Sequence, residues 1–368
     1  MSYIDKVDKD IKEYFNLLEP EYPLFLNDYI ETKRLQKQKY ISVSCGTIYS
    51  KMYSSHKFYS SLDHSVAVAL IIWHFTHDKK QTLSGLFHDI ATPVFKHSID
   101  FLNGDYMMQE STEELTTYFI KSDKDIMNLL KRDGIKLSDV NNYHIYPIAD
   151  NDTPHLSSDR LEYSLSNALF QYKILKLKDI KRMYDDVEVE HDEKENLELG
   201  FKTKEIAEDF VNLTSKMSVL YRDDKTRFSM QFLADIIKQL NSDGVIEKKD
   251  LYEKKESEII DIIENSKYGV LFDKWKNAKK VNVSGKEQEG VYYVNHGAKI
   301  RYINPLASGK RIYDISIKAK ENIDKNLSYN MDNYVYLDFS FDDINKKKKS
   351  LQNSFFFMEV NDVRWIKW

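Results

Sequence analysis

The side chains best suited to chemistry in this chain are a few histidines and aspartates. His64 stands in Ser61-Leu-Asp-His64-Ser65, and His88 and Asp89 are adjacent in Leu86-Phe-His88-Asp89-Ile90. Imidazole and carboxylate converging on one point would make a site for a divalent cation. The single cysteine, Cys45, excludes the thiolate frameworks of structural zinc. Nitrogen and oxygen donors suit manganese, iron, cobalt, nickel, zinc or magnesium without choosing among them. A further carboxylate or imidazole from a later helix should complete the set, and Asp159, opening Asp159-Arg-Leu-Glu-Tyr163, is the candidate. His97 and Asp100 lie three apart and would share a helix face. They read either as a solvated polar pair or as an imidazole steered by a carboxylate for general acid–base work. Arg160 offers a planar fork to phosphate, and Tyr163 a ring or hydroxyl to a substrate. Lys57, Lys96, Arg222 and Arg227 are further cationic candidates.

These residues need helices to hold them. Leu62–Thr76 is apolar almost all round, through Val66, Ala67, Ala69, Leu70, Ile71, Ile72 and Trp73, and predicts a buried helix with His64 near its start. Lys79–Asp89 predicts a short helix with His88 and Asp89 at its end, and Pro93 follows as a stop. Helices joined by a short loop tend to pack antiparallel, which brings those two ends together. Ser111-x-x-Glu114 reads as a capping box leading into Leu115, Phe119 and Ile120. Asp123–Arg132 should be helical and stop at Gly134. A longer helix should run from Ser158 toward Leu175, with Asp159 as its cap and Glu162 completing a capping box. Val187 and Val189, then Leu197, Leu199 and Phe201, alternate with polar residues and predict a hairpin projecting from the helical body. Helices return at Thr203–Leu220 and Lys225–Leu240.

After about Trp275 the character changes. Val281–Val283, Val291–Val294, Lys299–Ile303, Arg311–Ile317 and Tyr334–Phe339 predict strands, with a helix at Ala319–Leu327. The expectation is a mainly α protein: a helical unit over residues 1–275 with a β-hairpin insertion, and a small mixed α/β lobe over 276–368.

In this order and with these flanks, the residues resemble the HD-domain phosphohydrolases, and most closely their deoxynucleoside triphosphohydrolase (dGTPase-like) branch. His64-Ser65 and its small-apolar helix are similar to that branch's Glu-His-Ser-Leu-Gly segment. His88-Asp-Ile-Ala-Thr-Pro-Val-Phe-Lys-His97-Ser-Ile-Asp100 parallels its His-Asp-…-Pro-Phe-Ser-His-…-Asp segment, and Asp159-Arg-Leu-Glu-Tyr163 its Asp-Lys-x-Asp-Tyr segment. The resemblance covers about Asp28 to Leu240. It implies an HD helical core, a metal held by His64, His88, Asp89 and Asp159, hydrolysis of a nucleotide such as a deoxynucleoside triphosphate, and a homo-oligomer. It also implies proton-transfer roles for His97, Asp100 and Glu113, the last where the branch carries a histidine, and a sugar contact at Asn167, where the branch carries an aspartate. Ser61 and Thr92 replace an arginine and a second histidine of the branch. The ligands are thus retained while the surrounding shell is altered. This keeps open a phosphatase or phosphodiesterase acting on another nucleotide, and a regulatory protein that binds nucleotide without turnover.

Bulk composition fits that class. A net charge of −5 gives no strong nucleic-acid signal, and the basic run Lys346–Lys349 reads as a solvated turn. The first twenty residues lack the apolar core of a signal peptide, and Val66–Phe75 is too short to span a bilayer, so a cytoplasmic protein away from membranes is expected. Ser308-Gly309-Lys310 lacks the upstream glycine of a phosphate loop. His74 and His77 fall at the far end of their helix, and His144, His155, His191 and His296 have no supporting pattern.

Overall fold

The computed structural model describes residues 3–102 and 115–342. Glu113, the Ser111–Glu114 capping box and the Lys346–Lys349 run lie outside the described residues.

The helix carrying His64 spans Ser61–Thr76. Ser60 caps it by accepting from the Asp63 amide, and the Asp63 carboxylate accepts in return from the Ser60 amide at 2.9 Å. That reciprocal cap fixes the first turn, and hence where His64 projects. The residues from Leu62 to Ile72 are all buried. His77 closes the helix in a left-handed conformation, and Asp78 caps the next one, Lys79–Phe87, through the Lys80 and Gln81 amides. The two helices pack along their lengths as an antiparallel pair. Contact is tight at Gly85, where an added Cβ would lie 2.2 Å from Ile72 Cδ1, so a larger residue there would force the Ile72 side chain to move. The predicted stop at Gly134 stands, with φ +67 just past the helix Lys124–Arg132.

The helix carrying Asp159 departs from expectation at both ends. Ser157 caps it, its Oγ accepting from the Arg160 amide at 3.3 Å, so Asp159 sits within the first turn and Glu162 closes no capping box. The α-helix ends at Ser166, short of Leu175, and widens into a π turn over Asn167–Gln171 before Lys173 turns left-handed.

The hairpin forms as β1 (Val187–His191) and β2 (Leu197–Phe201), with Val187 opposite Phe201 and His191 opposite Leu197. It does not project alone. Three short strands come later in the chain, β3 (Asn282–Ser284), β4 (Tyr293–Val294) and β5 (Leu306–Ala307). They are followed by β6 (Lys310–Arg311) and β7 (Tyr334–Tyr336). β2 pairs in parallel with β5, giving one sheet in the order β1-β2-β5-β6, while β3-β7-β4 forms the other, antiparallel throughout. Lys299–Ile303 makes no ladder, and Arg311–Ile317 turns helical at Ile312 rather than continuing as strand. Val294, Ile303, Ile312, Ala319 and Val335 share one continuous apolar core with Phe15, Leu70 and Phe210. The fold is mainly helical, and no helix among the described residues is long and apolar enough to cross a membrane.

Candidate metal centre

His64, His88, Asp89 and Asp159 meet at the end of the paired helices. His64 Nε2 lies 3.1 Å from His88 Nε2 and 3.1 Å from Asp159 Oδ1. His88 Nε2 is 3.8 Å from Asp89 Oδ1 and 3.8 Å from Asp159 Oδ1. His64, His88 and Asp89 offer ligand atoms that lie within 4.8 Å of one another. Both imidazoles are oriented from behind. His88 Nδ1 is 2.6 Å from the Gly85 carbonyl, which can only accept, so Nδ1 carries the proton and Nε2 presents its lone pair. His64 Nδ1 contacts the Glu162 carboxylate, which likewise holds the Nδ1 proton and leaves Nε2 facing Asp159 and His88.

This donor set calls for positive charge at its centre. Two imidazole nitrogens face each other across 3.1 Å, with two carboxylates beside them. Burial alone would discharge His64, yet Glu162 and Asp159 overrule it and push its pKa up to about 10. Burial would raise Asp89, but Lys96 and the two imidazoles hold it well below the usual carboxylate range. Asp159 is likewise held down against burial by its bond to His64 and by His88. Nitrogen and oxygen donors with no thiolate therefore fit a divalent ion.

The cluster opens into a cavity of about 470 Å³. His97 lines it and is one-third exposed, with Nδ1 2.9 Å from Oδ2 of the fully buried Asp100, so the expected steering contact exists. Tyr163 and Asn167 also line it; Asn167 Nδ2 donates to the Tyr221 hydroxyl at 3.1 Å, and the Tyr163 and Tyr221 rings stand edge to face. Arg160 reaches the same wall, but its fork is engaged: Nη1 bonds Asn151 Oδ1 at 2.6 Å and Asp150 Oδ1 at 3.1 Å, and Nη2 bonds the Asn151 carbonyl at 2.5 Å. Among the four weaker cationic candidates only Lys96 reaches the cavity. Lys57 pairs with Asp8 and Asp10, Arg222 is bound to Ser218 and Asn326, and Arg227 to Asp224.

Several contributors escaped sequence reasoning. Glu162 is fully buried and also accepts from Tyr59 Oη at 2.8 Å and Ser166 Oγ at 3.2 Å. Its spacing of three from Asp159 was the available signal, since it puts both carboxylates on one helix face. Tyr143 packs its ring 5.2 Å from that of His88, and His144 bonds Asp150 at 2.8 Å. Lys299 and Arg301 bring cationic side chains to the far wall. A second group, His155, Asp192 and Glu198, has ligand-like spacing. Arg311 already supplies its positive charge, bonding Glu198 at 2.7 and 2.8 Å, while Asn196 occupies Asp192.

No family model and no curated protein matches the chain. Solved structures do. A hypothetical protein from Aquifex aeolicus superposes with a TM-score of 0.58 at 16% identity, covering 90% of this chain and 96% of that one. A phosphohydrolase from Bacteroides thetaiotaomicron superposes with a TM-score of 0.53 at 14% identity, covering 88% and 94%. At such identities the likeness is one of fold, extending over most of the chain.

Proposed function

We propose that this chain is an HD-type, metal-dependent phosphohydrolase acting on a nucleotide, with a deoxynucleoside triphosphate as the substrate its sequence motifs favour. The observation that carries the reading is the convergence of His64, His88, Asp89 and Asp159 at the mouth of a cavity whose wall holds the His97–Asp100 pair. The Bacteroides neighbour, itself named a phosphohydrolase, agrees with it.

His64 and His88 would hold the ion through Nε2, and Asp89 and Asp159 through carboxylate oxygens. A bound divalent ion supplies Lewis acidity toward a phosphate oxygen and a bound water of lowered pKa. His97, with Asp100 fixing its ring, holds or moves a proton at the leaving oxygen through the nitrogen that Asp100 leaves open. Glu113 is assigned a share of that proton transfer. Tyr163 and Asn167 bind the sugar side of the substrate. Arg160 contributes charge to the phosphate end from an anchored position, while its hydrogen bonds hold the Asn151–Ser157 loop.

The test is metal analysis of purified protein, followed by a nucleotide panel with several divalent ions and separate detection of phosphate and triphosphate. Triphosphate release supports the proposed substrate, and phosphate release from other nucleotides supports a phosphatase. Binding of metal and nucleotide without turnover across the panel would establish a regulatory protein instead.

A further inference from the structure

Lys96 immediately precedes His97, yet its side chain goes a different way. Phe95 and Lys96 are consecutive non-glycine residues in the left-handed region, with φ +66 and +42. Such a conformation is unfavourable for residues with a Cβ and persists only where the surroundings impose it. It buries the Lys96 ammonium, which donates to Asp89 Oδ2 at 2.5 Å and to Ser61 Oγ at 3.3 Å. Ser61 Oγ donates to the same Asp89 oxygen at 3.1 Å. The other oxygen, Oδ1, faces His88 Nε2 at 3.8 Å, while Oδ2 lies 4.0 Å from His64 Nε2.

A carboxylate with two oxygens can bridge two cations. Here Oδ1 faces the proposed metal position, while Oδ2, although also close to His64, is taken by an ammonium and a hydroxyl. Charge points the same way. Asp89, Asp159 and Glu162 bring three negative charges, and one divalent ion together with Lys96 would balance them. We infer that Lys96 is a fixed internal cation that occupies the second oxygen of Asp89, limiting the centre to a single divalent ion and weakening its hold on that ion. In this role Lys96 is a positioning residue. The inference rests on the metal reading proposed above.

The test is titration of the full-length protein with Mn²⁺ alone, following affinity and stoichiometry by calorimetry and by elemental analysis after desalting. Wild type should bind one ion per chain. Lys96→Met removes the repulsion from a charge a few ångströms away and should bind the first ion at least about tenfold tighter. Lys96→Arg, which keeps the charge, should stay near wild type. A residue needed only for packing would lower affinity when replaced, so a Lys96→Met variant that binds equally or more weakly overturns the inference. So do two ions per chain in wild type, a result that decides the matter even if the variant does not fold. A wild-type protein that binds no divalent ion at all removes the metal reading itself, an outcome distinct from the other two.

Discussion

Glu162→Gln offers a close test of how the centre is held. The substitution keeps the shape of a fully buried side chain but removes its charge, while the oxygen that meets His64 can still accept. What is lost is the charge assistance to the His64 Nδ1–H bond and one of the three negative charges around the ion. A hydrogen bond to a charged group contributes about 1.5–3 kcal/mol, against about 0.5–1.5 kcal/mol for a neutral one. The difference, roughly 1–2 kcal/mol, corresponds to about a five- to thirtyfold loss of metal affinity. That falls close to the range of about 10–100-fold common for groups that orient metal-bound histidines. Chelator-competition titration with Mn²⁺ reads the affinity, and calorimetry of the metal-stripped variant reads the fold. Glu162→Ala should be worse on both counts, because it strands the His64, Tyr59 and Ser166 donors in the interior. If Glu162→Gln binds Mn²⁺ as tightly as wild type, the carboxylate does not tune His64 and the reasoning fails.

His64→Ala and Asp89→Ala should each abolish tight metal binding, measured by elemental analysis of purified protein; full metal content in either would remove that residue from the ligand set. His97→Ala should keep metal and nucleotide binding but slow turnover by roughly 10²–10⁴-fold in a steady-state assay, and an unchanged rate would return His97 to an ordinary wall residue. Arg160→Ala should lower thermal stability, since it releases Asn151 and Asp150, and weaken nucleotide affinity with metal content intact; unaltered melting and affinity would count against both roles. Burial pushes the Glu256 carboxyl, which faces Lys37, Tyr49 and the Ser42 amide, up to about 7 from 4.5. The folded state then holds a proton that the unfolded chain releases, so this group's contribution is full below about 4.5 and lost as pH rises toward 7, a change of order 3 kcal/mol. Glu256→Gln should flatten that part of the stability–pH curve in denaturant titrations, and an unchanged slope would refute it.

The parts of the site that could be read from sequence are those whose local pattern and spatial role coincide. Val66–Ile72 is apolar all round because it is buried all round, so the helix and the placing of His64 at its start were both legible. His88 and Asp89 followed from the short loop that makes the next helix antiparallel. Asp159 is marked by its flanks, whereas the role of Glu162 is not: a glutamate three residues after a capping candidate fits a capping box and a buried brace for His64 equally well. Only the Ser157 cap, and the His64 ring packed against that face, distinguish the two. Lys299–Ile303 is β-branched and aromatic, which predicts a strand, yet it joins no ladder. The Arg301 carbonyl instead accepts from Asn326 Nδ2 at 2.9 Å, a partner 25 residues away that local composition does not encode. The parallel pairing of Gly200 with Leu306 has the same character, joining segments that carry no mutual signal.

That distance along the chain has a consequence for the order of assembly. Every proposed ligand lies between His64 and Asp159, whereas Lys299, Arg301 and Tyr302, which line the cavity, come more than a hundred residues later. A domain generally folds as a unit. Early and late segments share one continuous apolar core, so the candidate ligand cluster is walled in only when the last third packs, and the pairing of β2 with β5 is a long-range closure. The cavity therefore has its complete wall only once residues 299–302 have packed against the rest of the chain.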